Sequence, residues 1–446
     1  MSNGGILVFM ASLFLLLGYM GVPVTFALIA GVLIAVQFTQ ISMQSMVGQL
    51  FHGIDSEALL AVPFFLLVGE LMASSDVVQR MIRLAQTLVG HFRGGLAQVV
   101  TLFSMFFAGI SGSSTADVAV LSRTVAPEMD REGYDRAFTA ALIASASTMA
   151  NLIPPSIMAI VYGATGNVSI GGLFLAGVVP GVLIGIGLMI YSYVWGPPGF
   201  KKERASFSQV ALASKEAGMP LMIPVIIMGG ILSGWFTPTE AGMIASVYVL
   251  LVLIPIYRPH HVYELPRDFM YAGLLYSLPL AAVAAASAFG WMVAYLRGPD
   301  IVSSYITSVA GTSGPMIMFS LVVLFIIVGD FIDAVPAIII FMPIINKLTE
   351  IGNINPLHMG VVLITTLVFG LITPPYGLSL LVASKYVGVG FGRAVVRSLP
   401  LYGVFLLTIA FVVLFPEVVL YLPKLLLPES VGCFKAPGGS GYICPN

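Results

Sequence analysis

The sequence predicts an all-α polytopic membrane protein. It is organised as an inverted-topology repeat, with two opposed re-entrant helical hairpins and two proline-broken helices. Three observations lead there. The composition is too apolar for a water-soluble surface, the basic residues fall in alternate connections, and a proline pair occurs twice inside long apolar segments at a fixed spacing.

Of 446 residues, 58% are hydrophobic and 9% are charged, where a soluble domain carries about 25% charged residues. A chain this apolar has no means of covering its surface in water, so it belongs in a bilayer. The net charge of −1 says little, and neither charge nor motif points to nucleic acid. The N-terminus, "MSNGGILVFMASLFLLLGYMG", lacks the basic region and small-residue cleavage site of a signal peptide and reads as a retained first span. The five histidines (His52, His91, His260, His261 and His358) are scattered and expected at solvated or interfacial positions. No Cys/His cluster has metal-ligand spacing.

Apolar stretches run over roughly 5–20, 22–38, 57–73, 95–125, 137–163, 168–195, 219–236, 241–257, 271–296, 313–343, 357–387 and 398–416. Five clusters hold 14 of the 19 Lys and Arg residues: Arg80 to Arg93, Arg123 to Arg136, Lys201 to Lys215, Arg258 with Arg267, and Arg393 with Arg397. The positive-inside rule makes these cytoplasmic. Segment 95–125 then enters and leaves on the cytoplasmic side, and segment 313–343, between Arg297 and Lys347, enters from outside. Each is a re-entrant hairpin, and the two point at each other. The same count places both termini outside. Cys433 and Cys444, the only cysteines, fall in the extracytoplasmic tail, where they either pair or remain free thiols.

Pro154-Pro155 and Pro374-Pro375 lie 220 residues apart, and the same offset superimposes "AGISGSSTAD" (108–117) on "VGDFIDAVPA" (328–337). A third match sets "GVPVTFALIAG" (21–31) beside "FTPTEAGMIAS" (236–246). A hairpin followed by a broken helix thus occurs twice, from opposite faces, which is an inverted repeat. Inverted repeats with interrupted helices build secondary transporters, with sites near the bilayer midplane.

A proline has no N–H for the carbonyl four residues earlier. Pro154 and Pro155 therefore take the helical donor from the carbonyls of Ala150 and Asn151, and Pro374 and Pro375 from those of Gly370 and Leu371. In hydrocarbon such an oxygen needs another partner, and a cation held by carbonyls in place of its hydration shell is one. Two sodium sites are expected. One joins Gly109, Ser111 and Ser114 to Asn151, Ile153 and Pro154; the other joins Gly329 and Asp333 to Gly370, Thr373 and Tyr376. The same Gly/Ser turn also serves ordinary hairpin chemistry and close packing. Asp117, Asp330 and Asp333 are intramembrane carboxylates and so functional candidates, burial against a hydroxyl being the alternative. Glu240 is expected to cap a helix after Thr237 or Thr239, and Arg123 and Arg136 to anchor the interface. Helix N-termini at the hairpin tips suit a carboxylate. Substrate contact is expected at Ser113, Thr115, Asn151, Ser156, Asp330 and Thr373, with no intramembrane cation unless Lys385 reaches inward.

The ordered motifs "LLAVPFFLLVGELM" (59–72), "AGISGSSTADVAV" (108–120), "NLIPPS" (151–156), "GWFTPTEAG" (234–242), "GDFIDAVPAIIIFMPII" (329–345) and "FGLITPPYGLSLLV" (369–382) resemble the DctM-type large membrane (M) subunit of TRAP (tripartite ATP-independent periplasmic) transporters, over roughly residues 4–416. The resemblance implies a sodium-driven importer of organic acids such as C4-dicarboxylates in a bacterial inner membrane. It implies an elevator mechanism and no enzymatic activity. It also implies a separate four-span small membrane subunit (Q type) and a periplasmic binding protein (P type). Family sodium ligands carry over to the Ser111–Ser114 turn, Ile153-Pro154, Gly329, Gly370 and Thr373. The expected division is 1–94 (first scaffold segment), 95–165 (first transport half), 166–296 (scaffold and connecting spans), 297–390 (second transport half), 391–416 (last span) and 417–446 (periplasmic tail), the tail being longer than the family usually carries.

Three other readings were weighed. "GDF" at 329–331 lacks the first glycine of the intramembrane aspartyl protease signature, position 327 being Ile. A channel has no use for two closed hairpins. A stand-alone sodium/dicarboxylate symporter of the same superfamily is the serious alternative.

Overall fold

The computed structural model describes residues 2–74, 77–196, 204–432, 434–435 and 442–443. Cys433 and Cys444, and with them the expected pairing, lie outside the described residues. Nearly all of the described chain is helical, with one two-residue ladder between Phe434–Lys435 and Tyr442–Ile443. Six helices are long and apolar enough to cross a membrane, or up to eight if bent pairs count as single spans. Many large apolar side chains, among them Leu278, Leu407 and Phe319, point outward, as a lipid-facing surface requires.

One group of helices packs around Leu265–Tyr295. Val24–Val36, Met43–His52 and Ala61–Ser74 lie against it, Pro238–Tyr248 packs on Ala61–Ser74, and Phe207–Leu232 packs on Pro238–Tyr248. Local chemistry sets the helix starts. Thr237 Oγ1 accepts from the Glu240 N–H and Glu240 Oε2 accepts from the Thr237 N–H, a capping box at the position expected for Glu240. Ser206 and Gln209 make a second one. That box starts helix Phe207–Leu232 well before the apolar stretch at 219; its first three turns mix Ser208, Gln209, Ser214, Lys215 and Glu216 with apolar residues and carry no span signal. Helix Val77–Val89 is amphipathic. It buries Val78, Met81, Ile82 and Ala85 and turns Arg80 and Arg83 toward Glu216, at 3.8 and 3.5 Å, with the Arg80 guanidinium 4.2 Å over the Tyr257 ring.

The second group contains both predicted hairpins and both broken helices. The first hairpin is Gly95–Ser111 and Ser114–Thr124, and the second is Gly314–Gly329 and Ala334–Ile351. The broken helices are Arg136–Ser147 with Ile157–Gly166, and Pro356–Gly370 with Leu378–Val387; Pro154-Pro155 and Pro374-Pro375 are cis. The starts of corresponding helices, Gly95 and Gly314, Ser114 and Ala334, Arg136 and Pro356, Ile157 and Leu378, lie 219 to 221 residues apart. The offset read from two proline pairs therefore recurs in the starts of four successive helices. Ile170–Trp195, expected among scaffold and connecting spans, and Phe391–Leu414, expected as the last span, pack chiefly on this group.

Several ends are pinned by ion pairs and caps. Asp135 caps Arg136–Ser147 and meets Arg397 at 2.8 Å, and Arg136 forks onto Asp130 at 2.7 and 2.8 Å, which holds the Asp130 carboxyl below its ordinary range. Arg123 donates to the Tyr386 hydroxyl at 2.9 Å, so it joins two helices as well as marking the interface. Two histidines depart from expectation. His261 is buried against Asp268, 2.6 Å from Nε2 to Oδ2. His358 Nε2 lies 2.8 Å from the Val412 carbonyl, the oxygen that Pro416 leaves without a helical donor. Residues 416–431 are packed rather than loose: Val419 and Val431 are buried, and Asn355 Nδ2 donates to the Val431 carbonyl at 2.8 Å.

In the second half the hairpin meets the broken helix glycine on glycine. A Cβ on Gly370 would fall 2.7 Å from the Gly329 carbonyl oxygen, with backbone rather than a flexible side chain in the way. Gly370→Ala is expected to lower the apparent unfolding temperature of the purified chain in detergent, by the equivalent of about 1–3 kcal/mol for overpacking. Gly218→Ala, in a helix with open space around it, is expected to hold or raise that temperature. Matching melting curves for wild type and Gly370→Ala would contradict this packing.

Candidate functional site

Four irregular segments meet in the second group: two hairpin tips (Gly112-Ser113 and Asp330–Asp333) and two proline breaks (Leu152–Ser156 and Leu371–Gly377). Each tip packs on the break of its own half. A Cβ on Gly109 would lie 3.5 Å from the Pro154 carbonyl oxygen, and one on Gly112 only 2.7 Å from that of Pro155. Gly112 has φ +58, so the turn needs glycine for its backbone as well as for the approach. In the other half Gly329 lies against Gly370, Thr373 Oγ1 donates to Asp330 Oδ1 at 2.6 Å, and the Tyr376 N–H donates to the Asp330 carbonyl at 3.1 Å.

The halves are also joined crosswise. Ser114–Thr124 packs on Leu378–Val387, with Ser379 Oγ donating to Ser114 Oγ at 3.2 Å near their first turns and Arg123 meeting Tyr386 near their last. The contacts fall in the same order, so the two helices run in the same direction. Ile157–Gly166 packs likewise on Ala334–Ile351, Gly166 lying beside Met342. All four helices start at an irregular segment. Their first N–H groups and the positive ends of their dipoles therefore flank the breaks, an arrangement suited to negative charge.

Two of the four carbonyls deprived of a helical donor find another partner within the protein. Ser156 Oγ donates to the Asn151 carbonyl at 2.5 Å, and the N–H groups of Ser379 and Leu380 reach the Leu371 carbonyl at 3.0 and 3.4 Å. Ala150 and Gly370, the equivalent positions of the two halves, accept no hydrogen bond among the described residues. Tyr402 OH donates to the Ile372 carbonyl at 2.7 Å from the last long helix.

The predicted residues are partly brought together. Gly109 and Pro154 are adjacent, and Ile153 follows the short 3-10 turn Thr148–Asn151. The Ser111 hydroxyl turns away from the break and donates to Asp117 Oδ1 at 3.3 Å. Ser114 is engaged by Ser379, while Ser113 and Thr115 bond each other at 3.1 Å and stay partly exposed. Asn151 is buried, and its Nδ2 has no hydrogen-bond partner. Gly329, Gly370, Thr373 and Tyr376 form one cluster, but the carboxylate on Thr373 belongs to Asp330. Asp333 caps its own helix through the Ala334 N–H at 2.8 Å. Asp117 is fully buried, with Oδ2 unpartnered. Lys385 is exposed in the last turn of its helix and does not reach inward. Pro154 and Pro155 are buried, whereas Pro374 and Pro375 are exposed, so the second break is the more open.

Sequence reasoning missed Ser379 and Tyr402. Ser379 lies inside the "TPPYGLSLL" stretch and had a signal, a hydroxyl one turn past the break. Tyr402 had none, because its partner is 30 residues away on another helix.

The sequence profile described as "Tripartite ATP-independent periplasmic transporter, DctM component" matches residues 10–418. The C4-dicarboxylate TRAP transporter large permease protein DctM of Pseudomonas aeruginosa is 36% identical over 400 residues, 89% of this chain and 93% of the relative. The sialic acid TRAP transporter large permease protein SiaM of Vibrio cholerae is 34% identical over 92% of this chain and 96% of its own. The 2,3-diketo-L-gulonate TRAP transporter large permease protein YiaN of Escherichia coli is 34% identical over 84% and 89% respectively. A match across nearly the whole chain, on a multi-pass helical protein with paired hairpins and broken helices, has one meaning: the chain belongs to the DctM family, the large membrane component of TRAP transporters.

Proposed function

We propose that this chain is the permease subunit of a sodium-coupled TRAP transporter. It imports an organic acid, delivered by a periplasmic binding protein, by an elevator motion in the inner membrane. Both termini face the periplasm, and a separate four-span subunit completes the membrane complex. The observation that carries the reading is that each hairpin tip packs on the proline break of its own half, Gly109 and Gly112 against the Pro154 and Pro155 carbonyls and Gly329 against Gly370, where some break carbonyls accept no hydrogen bond among the described residues.

A carbonyl oxygen at membrane depth without a donor is costly. Sodium, a hard cation, supplies the missing positive charge through neutral and anionic oxygens. The first site takes its ligands from Gly109, Ser111, Ser114, Asn151, Ile153 and Pro154, and the second from Gly329, Asp333, Gly370, Thr373 and Tyr376. Asp330, bonded to Thr373, sits next to the second set. The substrate lies between them against Ser113, Thr115, Asn151, Ser156, Asp330 and Thr373. Two sodium ions and four helix N-termini offset the charge of its carboxylate. The names of the relatives support the substrate class: C4-dicarboxylate, sialic acid and 2,3-diketo-L-gulonate are all acids.

The moving body comprises the hairpins and broken helices. Ile170–Trp195 and Phe391–Leu414 travel with them, because that is where they pack. Residues 3–74 and 207–295 form the scaffold.

Thr373→Val removes the hydroxyl that bonds Asp330, and Ser114→Ala removes one beside the first break. Each is expected to raise the sodium concentration for half-maximal transport about tenfold, a change of about 1.4 kcal/mol. Wild-type sodium dependence in both variants would overturn the site assignment. In proteoliposomes, uptake is expected to require the small subunit, the binding protein and a sodium gradient. Uptake by this chain alone would favour a stand-alone symporter, and uptake that survives replacement of sodium by choline at constant potential would refute sodium coupling.

A further inference from the structure

We propose that Ser379 couples the cation site of the first hairpin to the proline break of the second half; the inference rests on the sodium reading above. Ser379 is fully buried and uses one donor within its own half and the other across to the first. Its N–H fills the Leu371 carbonyl at 3.0 Å, the oxygen that Pro375 leaves without a helical donor. Its hydroxyl donates to Ser114 Oγ at 3.2 Å, on the first residue of the first hairpin's inner arm. One residue thus closes the break of one half and touches a proposed sodium ligand of the other.

The two helices that carry this contact run in the same direction and are tied again at their far ends, where Arg123 donates to Tyr386 at 2.9 Å. They form one packed pair, so a displacement at one start is passed to the other. A hydroxyl oxygen has two lone pairs. On Ser114, one accepts the Ser379 proton and the other faces a cation. A bound cation draws electron density from that oxygen and weakens it as an acceptor. The Ser379 hydroxyl, and the backbone N–H of the same residue on Leu371, then adjust. Linkage makes the effect reciprocal: occupancy at the second break changes the affinity of the first site by the same factor.

The proposal is tested by equilibrium binding of ²²Na⁺ to the purified full-length chain in nanodiscs, which needs no knowledge of the substrate. Wild type is expected to bind sodium sigmoidally, with a Hill coefficient approaching about 2 for two coupled sites. Ser379→Ala keeps the N–H and deletes only the hydroxyl. It is expected to fill both sites at saturation, but with a Hill coefficient near about 1 for sites that no longer communicate. Ser379→Thr is expected to restore the steepness. Should Ser379→Ala give no monodisperse protein, Ser379→Cys, a weak donor of similar size, is expected to give the same loss of steepness. A sigmoidal curve in Ser379→Ala, a hyperbolic one in wild type, or loss of all binding in both Ser379→Ala and Ser379→Thr would overturn the coupling role alone. No saturable binding in wild type would overturn the sodium reading itself.

Discussion

The structure turns on one constraint: a backbone carbonyl inside a membrane has to be paired. Helices meet this constraint by default, which is why so little else spans a bilayer. This chain breaks two of its helices with adjacent prolines and so creates four carbonyls without helical donors. Most of the surrounding architecture answers them. Ser156 covers Asn151, Ser379 and Leu380 cover Leu371, and Tyr402 reaches from the last long helix to Ile372. The same physics recurs away from the centre, where His358 approaches the Val412 carbonyl left open by Pro416. Other carbonyls of the two breaks, Ala150 and Gly370 among them, accept no hydrogen bond among the described residues, and hairpin glycines lie against both breaks.

Matching offsets place the two breaks in similar surroundings. A hairpin and a broken helix recur with helix starts about 220 residues apart, and the inner arm of each hairpin packs on the second arm of the other half's broken helix. The centre is therefore built from both halves, and neither assembles it alone. The two copies are nonetheless unequal. The first break is buried and the second exposed, and Asp330 bonds Thr373 where the first half offers only hydroxyls and Asp117 further along the hairpin. The two breaks thus differ in access and in charge.

Much of this was legible in the sequence, because the signals were local. Apolar length marked most of the helices, and the missing N–H of proline pointed to the two breaks and their carbonyls. The Thr237–Glu240 cap also followed from its spacing. What was not legible depends on partners distant in sequence. Nothing in the chain announces that Tyr402 will find Ile372, that Thr373 will choose Asp330 over Asp333, or that His261 will be buried on Asp268. The polar first turns of Phe207–Leu232 hid the start of that helix, since apolar length registers only its lipid-crossing portion. Packing likewise assigns Ile170–Trp195 to the body of the hairpins, a choice no hydropathy pattern contains.

The central claim is that the second proline pair makes a cation ligand by withholding donors. Replacing both prolines, Pro374→Ala with Pro375→Ala, returns an N–H to positions 374 and 375 and lets Gly370 regain its helical partner. The most direct measurement is the number of ²²Na⁺ ions bound per chain at saturation in that double variant. The account predicts the loss of one site with the other retained; undiminished stoichiometry would contradict it.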